Sequence, residues 1–154
     1  MNNLNLNDLE LKTFTEQNAL DYCLLNNINL DNIIELYLVG NKLTDISGVK
    51  LFKNLEKLDL SNNLLQDISV IQYLNKLKIL YLNFNSITDI SFISNLDNLE
   101  ELYINNLELD SNQYKYIKSL KNLKYLFCRN GFKDMSIIKK IMHIRNKNIR
   151  VYYK

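Results

Sequence analysis

The feature that most constrains this chain is an apolar pattern that returns every 22 residues. Ile33, Leu55, Leu77 and Leu99 keep that spacing, as do Leu36, Leu58, Leu80 and Leu102, and Leu38, Leu60, Leu82 and Ile104. Four further columns run through Leu43, Leu65 and Ile87; Ile46, Ile68 and Ile90; Val49, Ile71 and Ile93; and Phe52, Leu74 and Leu96. All 21 positions of the seven columns in three complete repeats are apolar, although the apolar set makes up only 47% of the chain. A period of this length identifies a stacked architecture: one unit cannot close a core alone, and neighbouring units bury a continuous apolar column.

Inside each unit the period changes. Leu36 and Leu38 stand two apart, with Glu35, Tyr37 and Val39 around them, which is the alternation of a short strand. Ile46, Val49, Phe52 and Leu55 stand three apart, which suits a 3₁₀ turn whose side chains superpose at i and i+3. Polar columns repeat as well: Asn41, Asn63 and Asn85 follow the second strand leucine, and Asp45, Asp67 and Asp89 precede Ile-Ser pairs. An inward Asn offers both donors and an acceptor, so at a turn it serves backbone groups of its own coil and the next, where water cannot reach. Each Asp is expected to cap the turn that follows it.

The ends depart from the pattern. Leu107 stands where the column calls for Asn, and Asp110 to Gln113 lengthen the coil, so the step from Leu99 to Leu123 is 24 residues. Asp110 or Ser111 is expected to cap a helical turn there, ahead of Tyr114, Ile117 and Leu120. A fifth repeat keeps Leu123, Leu126 and Cys128, then runs into Met135, Ile138, Ile141 and Ile144, one face of an α-helix, with Ile149 and Val151 as a last strand. Ahead of the repeats, Thr13 and Glu16 have capping-box spacing, followed by Ala19, Leu20, Cys23 and Leu24 on one helical face. Irregular ends of this kind suit the caps of a solenoid. With 154 residues the chain has room for one small domain. Its expected parts are an N-terminal capping region over 1–32, about five repeats over 33–130, and a C-terminal helical cap with a last strand over 131–154.

The segments LYLVGNKLTDIS, LDLSNNLLQDIS and LYLNFNSITDIS resemble the leucine-rich repeat pattern LxxLxLxxNxIxDIS, in the 22-residue form shared by bacterial internalins and by regulatory-subunit-type proteins of protein phosphatase 1. The resemblance covers residues 33 to about 130. It implies an α/β fold, a right-handed, curved leucine-rich repeat solenoid with a parallel sheet on the concave face and 3₁₀ or helical segments on the convex side. It implies protein binding as the commonest role, and it names no partner.

Catalytic chemistry lacks its parts. No phosphate-binding glycine motif, HExxH or paired CxxC occurs in the sequence. His143, the only histidine, lies beside Ile141 and Ile144 and reads as a side chain of the cap. Cys128 falls in an inward strand column, as a small buried hydrophobe. At least four strand spacings of roughly 4.8 Å separate its strand from the cap that holds Cys23, whereas a disulfide needs Cα atoms within about 7 Å. No enzyme activity, catalytic residue, metal ligand or cofactor is expected.

The segment Met1 to Leu11 is Asn-rich and carries Asp8 and Glu10, unlike the apolar stretch of a secretory signal. No apolar run reaches the roughly 18 residues of a membrane span. The expectation is a cytoplasmic protein without a membrane span.

Side chains alternate across a strand, so the face turned away from the core carries Glu35, Tyr37 and Val39; Lys57, Asp59 and Ser61; Ile79, Tyr81 and Asn83; Glu101, Tyr103 and Asn105; and Tyr125, Phe127 and Arg129. Its central file reads Tyr, Asp, Tyr, Tyr, Phe. Large amphipathic aromatics give contact area with little entropy loss and dominate interface hot spots. The expected function is a non-enzymatic interaction module that grips a protein or peptide. Tyr37, Tyr81, Tyr103, Tyr125 and Phe127 are its expected anchors, with Glu35, Asp59, Glu101 and Arg129 setting orientation. Residues 131–154 carry seven basic residues against the single Asp134, in a chain whose formal net charge is +2. A second reading follows, in which Lys139, Lys140, Arg145, Lys147 and Arg150 contact phosphate on nucleic acid or an anionic membrane. Solvated lysines on a cap account for that run more simply, and nucleic acid is the disfavoured partner.

Overall fold

The computed structural model describes residues 2–134, 136–143 and 149–153. Seven strands of three residues lie within them: β1 (Asn3–Asn5), β2 (Glu35–Tyr37), β3 (Lys57–Asp59), β4 (Ile79–Tyr81), β5 (Glu101–Tyr103), β6 (Tyr125–Phe127) and β7 (Arg150–Tyr152). They pair in sequence order as one open parallel sheet. The register puts Leu4, Leu36, Leu58, Leu80, Leu102, Leu126 and Val151 in one row. Leu58, Leu60, Leu80 and Leu82 are 0% exposed, and each leucine taken fully out of water contributes about 1.5–3 kcal/mol.

β1 carries no 22-residue signal. Leu4 pairs with Leu36, an offset of 32, because a helix, α1 (Glu16–Leu25), occupies the intervening coil. That helix starts two residues later than its sequence suggests. Phe14 N–H donates to the Asp45 carbonyl and Thr13 bridges Asp45, which keeps residues 13 and 14 extended and lets the buried Phe14 ring pack 6.1 Å from Phe52. Thr15 is therefore the N-cap in place of Thr13, and Asn18 in place of Glu16 completes the box. Asn18 N–H donates to Thr15 Oγ1 at 3.2 Å, and Thr15 N–H donates to Asn18 Oδ1 at 3.2 Å. Only Ala19 and Cys23 of the expected face are buried, while Leu20 and Leu24 are exposed. A narrow face of small residues suits the close approach beneath it: Gly48 N–H donates to the Phe14 carbonyl, and a Cβ on Gly48 would stand 2.5 Å from the Thr15 carbonyl oxygen.

On the convex side, 3₁₀ turns cover Ser47–Leu51, Ser69–Tyr73 and Ser91–Asn95. Asp45, Asp67 and Asp89 accept from the N–H of Ser47, Ser69 and Ser91 at 2.7, 2.8 and 2.9 Å. Because Ile46, Ile68 and Ile90 hold the cap position itself, these aspartates act one residue upstream, as Asx turns that lead the chain into each 3₁₀ segment. The lengthened coil holds a short 3₁₀ turn, Ser111–Gln113, and α2 (Tyr114–Ser119). Asp110 does not cap it and pairs with Lys133 at 2.9 Å. The last helix, α3 (Ile137–Met142), buries Ile137, Ile138 and Ile141 and ends at His143, whose ring approaches the Lys139 carbonyl. Met135 and Ile144, expected on that face, lie outside the described residues.

The asparagine column forms a ladder, buried at Asn41 and Asn63 and half-buried at Asn85. Asn63 Oδ1 accepts from the N–H of Asn41 and Leu43 at 3.1 and 2.9 Å, and its Nδ2 donates to the carbonyls of Leu38 and Leu60 at 2.8 and 2.9 Å. Asn41 reaches back to Leu6 and Leu9 at 2.7 and 2.8 Å, and Asn85 serves Leu60 and Leu65 at 3.0 and 3.1 Å. Leu107, buried, ends the series. Cys23 and Cys128 are both free and buried, and burial pushes the Cys128 thiol up to about 12.

Candidate protein-binding face

The shared register gathers the outward side chains of the strands into columns. The third strand position gives Asn5, Tyr37, Asp59, Tyr81, Tyr103, Phe127 and Tyr152, and the first gives Asn3, Glu35, Lys57, Ile79, Glu101, Tyr125 and Arg150. In the former, four rings form one continuous stack. Tyr81 to Tyr103, Tyr103 to Phe127 and Phe127 to Tyr152 have centroid separations of 4.1, 4.2 and 4.4 Å, and their planes are within 18° of parallel. These separations are shorter than the roughly 4.8 Å between paired strands, so the rings lean toward one another.

Two glutamates hold tyrosines from the neighbouring column. Tyr37 O–H donates to Glu35 Oε2 at 2.9 Å and Tyr103 O–H donates to Glu101 Oε2 at 2.9 Å. Burial among its neighbours, reinforced by that bond to Glu101, raises Tyr103 well above the ordinary tyrosine range. Asp59 interrupts the aromatic file between Tyr37 and Tyr81, and Lys57 spans the gap with its ammonium 5.1 and 5.6 Å from the two ring centroids. The hydrogen bond with Tyr37 is the largest cause of the raised pKa of Lys57. Asp59 Oδ1 accepts from Ser61 N–H at 2.9 Å. Tyr125 stands apart from the stack, in the first column, with the Arg150 guanidinium 5.7 Å from its ring centroid. Arg129 is exposed at the rim, its backbone N–H donating to Asn105 Oδ1 at 2.8 Å.

Of the residues singled out from sequence, Tyr81, Tyr103 and Phe127 are thus brought into one stack, Tyr37 and Asp59 extend the same column, Glu35 and Glu101 are engaged with tyrosine hydroxyls, and Tyr125 and Arg129 flank it. Sequence reasoning missed two participants. Tyr152 follows Phe127 by 25 residues, off the repeat, although Val151 in the core column already assigns its neighbours to the outer face. Lys57 was placed on this face, but its bridging of two rings leaves no mark in a pattern. The basic residues of the C-terminal segment divide: Lys139 and Lys140 are on α3, Arg150 stands over Tyr125 on the sheet, and Arg145 and Lys147 lie outside the described residues.

A strand-and-turn coil stacked on a shared leucine row, with an inward asparagine ladder, is the architecture of leucine-rich repeats. The family model for leucine-rich repeats in two copies matches residues 31–73 and 75–116, and the chain belongs to that family. No curated protein matches the sequence. Among solved structures, an internalin (inlF) from Listeria monocytogenes is similar with 29% identity and a TM-score of 0.68, over 80% of this chain and 35% of the internalin. Internalin C2 (inlC2) from the same organism shares the fold with 24% identity and a TM-score of 0.67, over 80% of this chain and 53% of the internalin. The plant peptide hormone receptor RGFR1, solved in complex with RGF2, is similar with 31% identity and a TM-score of 0.53, over 65% of this chain and 17% of the receptor. The chain thus spans about a third and about half of the two internalins it resembles. Leucine-rich repeat proteins are typically non-enzymatic interaction scaffolds. Among the described residues no helix is long and apolar enough to cross a membrane.

Proposed function

We propose that this chain is an adaptor or regulatory module that grips an extended segment of a protein partner on its concave face, and that it acts in the cytoplasm. The observation that carries the reading is the four-ring stack from Tyr81 to Tyr152. Its rings are preordered by one another, so a partner that lies across them meets a large amphipathic surface whose ordering entropy is already spent in folding. Tyr37 and Tyr125 widen the surface on either side, while Glu35, Asp59, Glu101 and Arg129 orient what lands there. The receptor neighbour solved in complex with RGF2 supports a peptide ligand by analogy. Two free, buried cysteines suit a reducing compartment.

The phosphate-binding reading has less support, because Arg150 is engaged over Tyr125. Capture from host lysate with the wild-type chain, with Tyr81→Ala/Tyr103→Ala and with Lys139→Gln/Lys140→Gln separates the two. A protein lost with the tyrosine pair and kept with the lysine pair is the expected result. Binding that survives the tyrosine pair, fails with the lysine pair and collapses with salt would overturn the concave-face reading. Fractionation of host cells tests the compartment, and recovery in the secreted fraction would overturn that assignment.

A further inference from the structure

At the rim of the sheet, by the C-terminal ends of β4 to β7, Phe84, Asn105, Asn106, Phe127, Arg129, Asn130 and Tyr152 line an open cleft of about 510 Å³. Phe84, Phe127 and Tyr152 form its aromatic part, and Phe84 and Tyr152 are 55% and 47% exposed. Its one formal charge is Arg129. Among the described residues that guanidinium takes part in no ion pair and no hydrogen bond, and neither the Asn105 nor the Asn106 side-chain NH₂ has an acceptor. The cleft therefore presents a planar fork of donors and two amide donors beside three aromatic rings, with no carboxylate among its lining residues to satisfy them.

Phe84 is out of place by the logic of its own column. The equivalent residues Gly40, Asn62, Asn106 and Asn130 all adopt positive φ, from 50° to 71°, and Phe84 does so at 55°. Glycine and asparagine tolerate that region, whereas a bulky side chain is strained there. An exposed, strained aromatic where the repeat supplies glycine or asparagine is a costly choice for stability, and such strain gathers at ligand clamps.

Resting on the concave-face reading above, we infer that this cleft receives an Asp or Glu side chain of the partner's extended segment, paired with Arg129, while an adjacent apolar side chain of the same segment sits on Phe84. Charge complementarity selects the class: an Arg fork matches a carboxylate in a bidentate pair, and the Asn105 and Asn106 amides serve its remaining lone pairs. A phosphorylated residue, close to doubly charged, is typically met by a cluster of arginines, and Arg129 stands alone in this cleft.

Selection of short random peptides displayed on phage against the wild-type chain tests the assignment, with affinities of the selected peptides measured by fluorescence polarisation on purified variants. The expected peptides carry Asp or Glu next to an aromatic or aliphatic residue. Arg129→Glu weakens them about tenfold or more and redirects selection to Lys or Arg at that place. Phe84→Asn, which restores the residue the column prefers, keeps or raises the melting temperature yet removes the preference for the apolar neighbour, a combination that a purely structural Phe84 would not give. Peptides that need Tyr81 and Tyr103 but show no acidic enrichment, or that bind Arg129→Glu unchanged, would overturn the cleft and leave the concave-face reading standing. Selection of no peptide, or of peptides indifferent to Tyr81→Ala/Tyr103→Ala, would overturn both.

Discussion

The two halves of the solenoid are held by different means. Around β2 to β4 the coils are tied from inside: Asn41 and Asn63 are 0% and 5% exposed and pass hydrogen bonds from coil to coil, while the outer aromatic file is broken by Asp59. Around β5 to β7 the inward amide gives way to Leu107, the coil lengthens to admit α2, and the outer face closes into a ring stack that ends at Tyr152. A ladder bond satisfies backbone groups with nowhere else to turn, so it is worth what its loss would expose. A stacked ring half open to water is worth less to folding and keeps a face for a partner. The first half thereby concentrates stability, and the second carries the surface proposed for recognition.

The sharpest break in that contrast comes from Asn63→Ala. It strands the N–H groups of Asn41 and Leu43 away from water, at roughly 1–3 kcal/mol each and about 2–6 kcal/mol together. Domains of this size have only about 5–15 kcal/mol in hand, so the urea midpoint should fall by a large part of its value. An unchanged midpoint would mean the ladder holds nothing. Next comes Leu80→Ala, at the seam of the halves, which should cost about 2–5 kcal/mol by leaving a cavity in the row. The same denaturation experiment reads it, and a loss under about 1 kcal/mol would place Leu80 outside the packed core.

Much of this contrast was legible in the sequence, and the misses share a cause. The leucine row, the asparagine ladder and the break at Leu107 all follow from the fixed period, because burial demands the same side chain at the same place in every coil. Where a coil contains a true helix the period slips, to 32 residues between Leu4 and Leu36 and to 25 between Phe127 and Tyr152, and so β1 and the last ring of the stack went unseen. The helix start near Thr13 was misplaced by two residues because the long-range bridge to Asp45 outweighs local capping preference. The outer face is legible only as a set of positions. Its pairings, such as Lys57 over Tyr37 and Tyr81, depend on side-chain reach that no spacing encodes.

The recognition half should answer to a different readout. Tyr81→Ala/Tyr103→Ala removes two stacked contacts, each about 0.5–1.5 kcal/mol, so its melting temperature should fall by less than that of Asn63→Ala while partner affinity drops by more than about 2 kcal/mol. Calorimetry of both quantities on the same preparations decides it. A large loss of stability without a loss of affinity would return the stack to the interior and reverse the contrast. Asn105→Ala, whose half-buried amide oxygen accepts among the described residues only from Arg129 N–H, should cost about 0.5–1.5 kcal/mol, a fraction of the Asn63 effect.

The smallest expected effect concerns pH. Burial and the bond to Glu101 hold Tyr103 in its neutral form well above the usual range. An unfolded chain releases that proton near pH 10, while the folded chain keeps it. The folded state therefore binds more protons than the unfolded one above that point, and stability must fall as the pH rises through it. The contribution is whole below about pH 10 and is lost progressively above it. Phenylalanine has no proton to release, so Tyr103→Phe should flatten that part of the alkaline decline, at the expense of the hydrogen bond to Glu101 at neutral pH. Denaturation midpoints of the two proteins at pH 7 and at about pH 11 measure the difference directly. If both decline in parallel, Tyr103 is as open to water as an ordinary surface tyrosine, and the stack on which the recognition half depends is not closed around it.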